Sequence, residues 1–159
     1  MPVIDAGKKA PAFSLQDQSG KTHSLKDYAG KPLVLYFYPK DDTPGCTTEA
    51  CNFRDNLPDL TKLKTTVLGV SVLDTKSKAK FAGKHSLNFP LLADEDHAVA
   101  DKYGAWQEKS LYGKKYLGVA RITYLIDASG KVAKRWDKVN VKAHADEVLA
   151  AVKALGENA

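Results

Sequence analysis

One unbroken apolar run constrains the fold of this chain more than any other feature of its sequence. Leu33-Val34-Leu35-Tyr36-Phe37-Tyr38 contains only aliphatic and aromatic residues, and it ends at Pro39. Because polar residues do not alternate with the apolar ones, the run predicts a central β-strand that is buried on both faces. Residues 66–72 predict a second buried strand, and residues 121–126 predict a third.

Helical patterns separate these strands. A helix is predicted to begin near Cys46, and its apolar residues at helical spacing are Ala50, Phe53, Leu57 and Leu60. Pro58 interrupts that pattern and predicts a kink or a break. Further helices are predicted at 75–85, at 98–103 and at 141–155, the last of which is amphipathic and stops at Gly156.

Short extended segments complete the pattern. Residues 13–15 and the turn at 18–21 predict a hairpin, residues 89–93 a short strand, and the turn at 127–130 a second hairpin with 131–136. Strands that alternate with helices predict an α/β fold with a central mixed sheet flanked by helices. This order is compatible with a thioredoxin-like fold, although periodicity alone does not single out that topology. No repeat or linker divides the 159 residues, so a single domain over 1–159 is expected.

The charge distribution argues against a nucleic-acid partner. The net charge is +5, from 24 Lys and Arg against 19 Asp and Glu, but the positive residues are spread along the chain. A solvated surface explains such spacing. No apolar run approaches the roughly 18 residues of a membrane helix. The N-terminus lacks a basic start followed by an apolar stretch, so a cytoplasmic location is expected.

Cys46 stands where a reactive thiol is favoured. It follows the buried strand and a Pro44-Gly45 turn, at the predicted start of a helix. Free backbone N–H groups and the helix dipole stabilise an anion there, and the thiolate is the nucleophilic form of cysteine. The Thr43 hydroxyl could donate to that thiolate, and Thr47 and Thr48 could cap the helix. The alternative is that Cys46 is a small buried apolar residue.

The spacing from Cys46 to Cys51 predicts a mechanism that involves unwinding. A static disulfide is rare in a reducing compartment, so the two cysteines need another explanation. Residues five apart on a helix have Cα atoms about 8 to 9 Å apart, whereas disulfides rarely span more than about 7 Å. If the two cysteines react, the first helical turns must open. This suits a cycle in which peroxide oxidises Cys46 to a sulfenic acid and Cys51 then attacks it.

Other kinds of site have less support in the sequence. A zinc site needs about four ligands, and the histidines are scattered, without ligand spacing to either cysteine: His23, His85, His97 and His144. A Cys–His hydrolase stays open in principle, but the nearby second cysteine argues against it. The Gly-Lys pairs lack the upstream glycine of a P-loop.

Residues 39–55, Pro-Lys-Asp-Asp-Thr-Pro-Gly-Cys-Thr-Thr-Glu-Ala-Cys-Asn-Phe-Arg-Asp, resemble a peroxiredoxin. The Pro-x-x-x-Thr-x-x-Cys arrangement resembles the family's peroxidatic signature. The second cysteine five residues later is similar to the bacterioferritin comigratory protein (PrxQ) group. The resemblance covers nearly the whole chain, including residues 7–13, 112–118 and 121–127.

The resemblance implies roles for six residues. Cys46 would be the peroxidatic cysteine and Cys51 the resolving one. Thr43 would hydrogen-bond the thiolate and the peroxide, Pro39 would shield the sulfur from water, and Arg121 would supply positive charge. Glu49 would have a supporting role. The residue after the arginine departs from the family pattern, since Ile122 replaces a small hydroxyl residue and leaves that neighbour's contribution open.

The resemblance also implies a thioredoxin-like fold, no metal or organic cofactor, and monomers. The substrates would be hydrogen peroxide and organic hydroperoxides, and the reductant thioredoxin or a similar dithiol protein. Tyr36 and Tyr38 are expected in the core, whereas Phe53 stays open between core, pocket and contact surface. Trp106 is placed in a loop without an assigned role. Two alternatives remain: a thiol–disulfide oxidoreductase, which usually has Cys-x-x-Cys, and a redox-sensing or chaperone-like binding module.

Overall fold

A seven-stranded mixed sheet forms the centre of the computed structural model, which describes residues 1–157. The elements in chain order are β1 (Ser14–Gln16), β2 (Thr22–Ser24), a 3₁₀ helix (Leu25–Tyr28), β3 (Leu33–Phe37), α1 (Pro44–Lys62), β4 (Thr66–Ser71), α2 (Thr75–His85), β5 (Leu91–Ala93), α3 (Ala98–Lys102), β6 (Trp106–Leu111), β7 (Lys114–Val119), β8 (Ile122–Ile126), β9 (Val132–Trp136) and α4 (His144–Glu157). The strand order is β2-β1-β5-β4-β3-β8-β9, and β6 pairs with β7 in a separate sheet. Strands β3, β4 and β5 are parallel, whereas β8 is antiparallel to β3. The predicted mixed α/β architecture is therefore confirmed.

Strand β3 lies in the interior of this sheet, as its apolar run predicts. It pairs with β4 on one side and with β8 on the other. Successive side chains of a strand point to opposite faces. Leu35 and Phe37 accordingly join one core, while Tyr36 and Tyr38 join the other. Both tyrosines are almost fully buried, which confirms their predicted place in the core.

The two faces of the sheet carry different helices. One core contains buried residues of α3, and the other contains buried residues of α1, α2 and α4. Gly69 in β4 allows the second core to close tightly, because a Cβ atom there would lie 2.8 Å from Tyr36 Cζ and 3.0 Å from Leu91 Cδ2. The Tyr36 ring stacks in turn on Phe53 of α1, with 4.8 Å between ring centroids. This stacking packs α1 against β3 of the sheet.

Helix α1 continues through Pro58, so the predicted break does not occur there. A proline inside a helix leaves the carbonyl four residues earlier without its N–H partner. Here that carbonyl belongs to Arg54, and it accepts a hydrogen bond of 3.3 Å from the Asn88 side chain. The helix also buries Phe53 and Leu60 completely. Tertiary contacts therefore offset the local cost of the proline.

Two other expectations are corrected by the structure. Helix α4 continues through Gly156 to Glu157, the last described residue, because a glycine near a helix end costs only about 1 kcal/mol relative to alanine. Trp106 lies in a strand, not in a loop: it begins β6, whose hairpin with β7 turns at Tyr112 and Gly113. Both turn residues have positive φ, 52° and 78°, as a type I′ hairpin turn requires. None of the helices described in residues 1–157 has the length and apolar character to cross a membrane.

Candidate active site

The first turn of α1 positions Cys46. Thr43 is the N-cap residue, with extended φ and ψ of −95° and 157°, and Pro44 is the first helical residue. The helix thus begins two residues before Cys46, which is only 2% exposed. Thr47 and Thr48 lie inside the helix, so their predicted capping role is wrong. The Thr48 hydroxyl donates to the Pro44 carbonyl at 3.0 Å instead.

The guanidinium of Arg121 joins Cys46 to Glu49. Its Nη2 lies 3.2 Å from the Cys46 sulfur, and its Nη1 lies 2.6 Å from Glu49 Oε1. Arg121 reaches the helix from the position just before β8, while Cys46 and Glu49 are three residues apart and share one face of α1. The structure therefore brings together three of the residues predicted for the site.

Burial governs the charges in this cluster. The Glu49 side chain is 1% exposed, and its Oε2 has no hydrogen-bond partner among the described residues. Burial raises the pKa of Glu49 from 4.5 to about 7, although the charge of Arg121 and its hydrogen bond act to lower it. Burial alone would lower the pKa of Arg121, but Glu49 and Cys46 outweigh this and raise it. Arg121 therefore remains a full positive charge beside the sulfur.

A second cation lies near the cluster on the β6–β7 hairpin. Lys109 Nζ donates to the Val119 carbonyl at 2.8 Å, two residues before Arg121. Burial lowers the pKa of Lys109, the nearby charge of Arg121 lowers it further, and Cys46 opposes both. The sequence resemblance does not assign a role to this lysine. Lys109 could have been identified from the sequence only if residues 106–119 had been recognised as a β-hairpin that ends next to Arg121.

Gly45 lies beside the guanidinium of Arg121. A Cβ atom at Gly45 would lie 3.4 Å from Arg121 Nη2, in ordinary van der Waals contact. The guanidinium therefore packs directly over the backbone just before Cys46.

Two of the predicted site residues make no hydrogen bond to the sulfur. The Thr43 hydroxyl donates to the Lys40 carbonyl at 3.2 Å, while its backbone begins the helix that carries Cys46. Pro39 lies two residues after the end of β3 and is half-buried. Both residues thus lie in the loop that leads into the site. The Ile122 side chain points away into the core that contains α3, and it is 2% exposed.

Cys51 lies further along α1 and is half-buried, and both thiols are free. The next residue, Asn52, ties the helix to the segment before α4: its Nδ2 donates to the Val141 carbonyl at 2.7 Å and to the Lys142 carbonyl at 3.1 Å. Arg54 Nη1 donates to the His85 carbonyl at 2.7 Å. The helix is therefore held by polar contacts from the residue after Cys51 onwards.

A buried polar network holds the loop before Cys46 against α2. Lys78 has a completely buried side chain, and its ammonium group lies 3.4 Å from Asp41 Oδ1 and 2.5 Å from Ser71 Oγ. Burial lowers the pKa of Lys78, and Asp41 opposes this. Asp41 also accepts a hydrogen bond of 2.7 Å from Ser77. The next residue, Asp42, pairs with Lys84 and with His85, each at 2.9 Å.

His144 lies behind the site at the start of α4. Its Nε2 shares a hydrogen bond of 2.7 Å with Thr123 Oγ1, and its ring meets Phe53 and Trp136 edge to face. Burial, with a smaller contribution from Arg121, lowers the pKa of His144 from 6.5 to about 4. The ring is therefore neutral at physiological pH. Across the described part of the chain, no three His, Cys, Asp or Glu residues cluster as metal ligands would.

The sequence of this chain is similar to those of known proteins over nearly its whole length. The AhpC/TSA family model matches residues 6–135. The peroxiredoxin Bcp of Bacillus subtilis (strain 168) is 46% identical over 155 residues, which cover 98% of this chain and 99% of the relative. The peroxiredoxin Bcp of Escherichia coli (strain K12) is 47% identical over 149 residues, which cover 94% of this chain and 96% of the relative.

Solved structures show the same likeness. One is the Xanthomonas campestris bacterioferritin comigratory protein, studied as trapped intermediate and ligand complexes for its alkyl peroxide reduction activity. It superposes with a TM-score of 0.89 at 42% identity, and the match covers 95% of this chain and 99% of that one. A cysteine-to-serine variant of Xylella fastidiosa PrxQ superposes with a TM-score of 0.92 at 34% identity, covering 98% of this chain and 99% of that one.

Proposed function

The chain belongs to the AhpC/TSA family and is a thiol peroxidase of the peroxiredoxin kind, and from this premise we propose that Cys46 is its peroxidatic residue and Cys51 its resolving residue. The resemblance to the PrxQ group and the thioredoxin-like fold predicted from the sequence are both confirmed. The observation that carries the assignment of Cys46 is the Arg121 guanidinium, 3.2 Å from its sulfur.

In the first step, the Cys46 thiolate attacks one peroxide oxygen. An S–O bond forms as the O–O bond breaks, the sulfur is oxidised to a sulfenic acid, and the other oxygen leaves with a proton as an alcohol or water. Negative charge moves from sulfur to the leaving oxygen. A fixed cation beside both positions stabilises that transfer because it needs no reorganisation as the charge moves.

The surrounding residues support this step in different ways. Arg121 presents its positive charge to the Cys46 sulfur, and Glu49 holds the guanidinium in place through its 2.6 Å ion pair. Thr43 begins the helix whose N-terminal dipole favours an anion, and its hydroxyl reaches the peroxide after leaving the Lys40 carbonyl. Pro39 limits the approach of water to the sulfur.

In the second step, Cys51 closes a disulfide with Cys46. Both cysteines lie in one continuous helix, where residues five apart are about 8 to 9 Å apart at Cα. The first turns of α1 must therefore open before the sulfurs can meet. At high peroxide, slow opening leaves the sulfenic acid exposed to a second oxidation, to sulfinic acid.

The remaining assignments concern substrates and partners. We propose hydrogen peroxide and alkyl hydroperoxides as substrates, the latter because alkyl peroxide reduction is described for the Xanthomonas relative. Thioredoxin or a similar dithiol protein would reduce the disulfide by thiol exchange. The chain would act as a cytoplasmic monomer and as a single domain over 1–159.

A single-turnover titration tests the two cysteine assignments. The reduced protein is mixed with one equivalent of hydrogen peroxide, and free thiols and intact mass are then measured. The proposal expects the loss of both thiols and about two mass units, since one disulfide forms per peroxide. Cys46→Ser should consume no peroxide. Retention of both thiols in the unmodified protein would refute the assignment.

A further inference from the structure

Two groups of contacts hold the chain on either side of the segment that carries both cysteines. The upstream clamp is formed by Asp41 and Asp42, which bind side chains of α2. The downstream clamp is formed by Asn52 and Arg54, which bind backbone carbonyls of the segment before α4 and of α2. The clamps lie just outside residues 43–51.

The segment between the clamps has few polar contacts of its own. Among the described residues, the side-chain hydrogen bonds from 43–51 to another element are those of Glu49 and Cys46 with Arg121. The hydroxyls of Thr43 and Thr48 bond only to nearby carbonyls. One guanidinium therefore supplies the polar attachment of this segment, whereas each clamp has several partners.

Oxidation weakens that one attachment. This step rests on the proposed function, in which peroxide converts the Cys46 thiolate to a neutral sulfenic acid. Arg121 then loses the charge that attracts it to the sulfur and keeps its ion pair with Glu49. The clamps contain neither cysteine, so oxidation leaves their contacts unchanged. Opening is thus favoured between the clamps and resisted at them.

We propose that the two clamps set the ends of the segment that unwinds, and that Asn52 is a positioning residue for disulfide closure. After unwinding, the Cys51 thiolate attacks the Cys46 sulfur, the S–S bond forms, and the S–O bond breaks to release water once the oxygen takes a proton. Because Asn52 stays attached to the Val141 and Lys142 carbonyls, Cys51 remains tethered near Cys46. The tether shortens the search between the two sulfurs.

Hydrogen exchange in the disulfide form tests the downstream boundary. An amide in a helix bonds the carbonyl four residues earlier, so unwinding that stops at Cys51 frees amides only up to Asp55. The amides of Asn56 and Leu57 should keep their protection. In Asn52→Ala, they should lose it. The disulfide is formed with diamide, so that this boundary is measured independently of peroxide chemistry.

Asn56→Ala is the matched control. Asn56 lies one turn later on the same helix, and its side chain bonds only to the Asn52 carbonyl, at 2.8 Å. It therefore makes the same chemical change without removing a contact to another element. The exchange boundary in this variant should stay at Asp55.

Competition between closure and overoxidation supplies a second readout. At a fixed peroxide excess, the ratio of sulfinic acid to disulfide is independent of the folded fraction, so a merely structural defect would not change it. In Asn52→Ala this ratio should rise about two- to fivefold, because an untethered Cys51 closes more slowly. The rate of the first oxidation should be unchanged, as should the ratio in Asn56→Ala.

The outcomes distinguish a failure of the clamp proposal from a failure of the proposed function. A shifted exchange boundary and a raised ratio in Asn52→Ala alone would support the clamps. An unshifted boundary, an equal or lower ratio, or the same change in Asn56→Ala would overturn them. If the unmodified protein keeps both thiols with peroxide, the proposed function fails, while the diamide experiment still decides the position of the boundary.

Discussion

His144 should make the folded state less stable in acid, because its ring is buried without charge. The side chain is fully buried against Phe53 and Trp136, and its pKa is lowered from 6.5 to about 4. Between these two values the unfolded chain binds a proton at His144 that the folded chain does not. Stability therefore rises with pH across this window and is lost as pH falls through it.

The size of the effect follows from the pKa difference. A lowering from 6.5 to about 4 corresponds to about 3 kcal/mol when complete. Between about pH 7.5 and about pH 4.5, most of this, about 2.5 kcal/mol, should be lost. Glu49 acts in the opposite direction, since its pKa is raised from 4.5 to about 7. In the unmodified protein these two contributions should therefore largely cancel, and only variants separate them.

Urea unfolding of His144→Gln isolates the contribution of the histidine. Gln does not titrate, and its amide can still bond Thr123, so the variant should lose the acid-labile contribution. The free-energy difference between the unmodified protein and the variant should shrink by about 2.5 kcal/mol from neutral pH to about pH 4.5. His97→Gln, at a half-buried histidine stacked on Trp106, makes the same substitution away from Phe53 and Trp136 and is the matched control. A difference for His144→Gln that is constant with pH would refute the argument.

Glu49→Gln should change the pH dependence of stability in the opposite direction to His144→Gln. Between about pH 4.5 and about pH 7 the folded chain holds a proton on Glu49 that the unfolded chain releases. Removing this carboxyl should therefore abolish a stability loss of about 3 kcal/mol as pH rises through that range. The same urea series measures it, and an unchanged slope would contradict the burial argument. Cys51→Ser should lose one thiol and gain about 16 mass units with one peroxide, then stall with thioredoxin; sustained turnover with thioredoxin would exclude the resolving role. Arg121→Ala should slow peroxide attack by about 10- to 150-fold, since a hydrogen bond to a charged group contributes about 1.5–3 kcal/mol. Stopped-flow rates and the ultraviolet absorbance of the thiolate check this, and an unchanged rate would remove Arg121 from the mechanism.

Local sequence patterns predicted most of the sheet, because strands buried on both faces leave a strong signal. The central run at β3, the α2 bounds and the β8–β9 hairpin all follow from apolar periodicity and turn residues. Pro58 shows where local rules stop. Its effect on the helix depends on Asn88, which lies 30 residues away and carries no sign of that contact in the sequence.

For a similar reason, the sequence predicted the two cysteines of the site but not the long-range contacts around them. Cys46 and Cys51 stand in a local motif, so their positions could be identified from spacing. The tie from Asn52 to Val141 and the pair between Asp41 and Lys78 join distant segments, and only the fold reveals them. One weak signal existed: Lys78 lies on the same face of α2 as Phe81 and Ala82, where a lysine interrupts an apolar stripe.

The close contact between Gly69 and Tyr36 means that the residues at positions 69 and 36 can change only together. A methyl group at 69 would displace the Tyr36 ring, which stacks on Phe53 in the helix of both cysteines. An exchange of β4 between homologues would therefore have to bring its own residue at position 36. In a chimera or a mutant library, a conservative substitution in β4 would therefore reduce activity, although the substituted residue lies far from any residue that contacts peroxide.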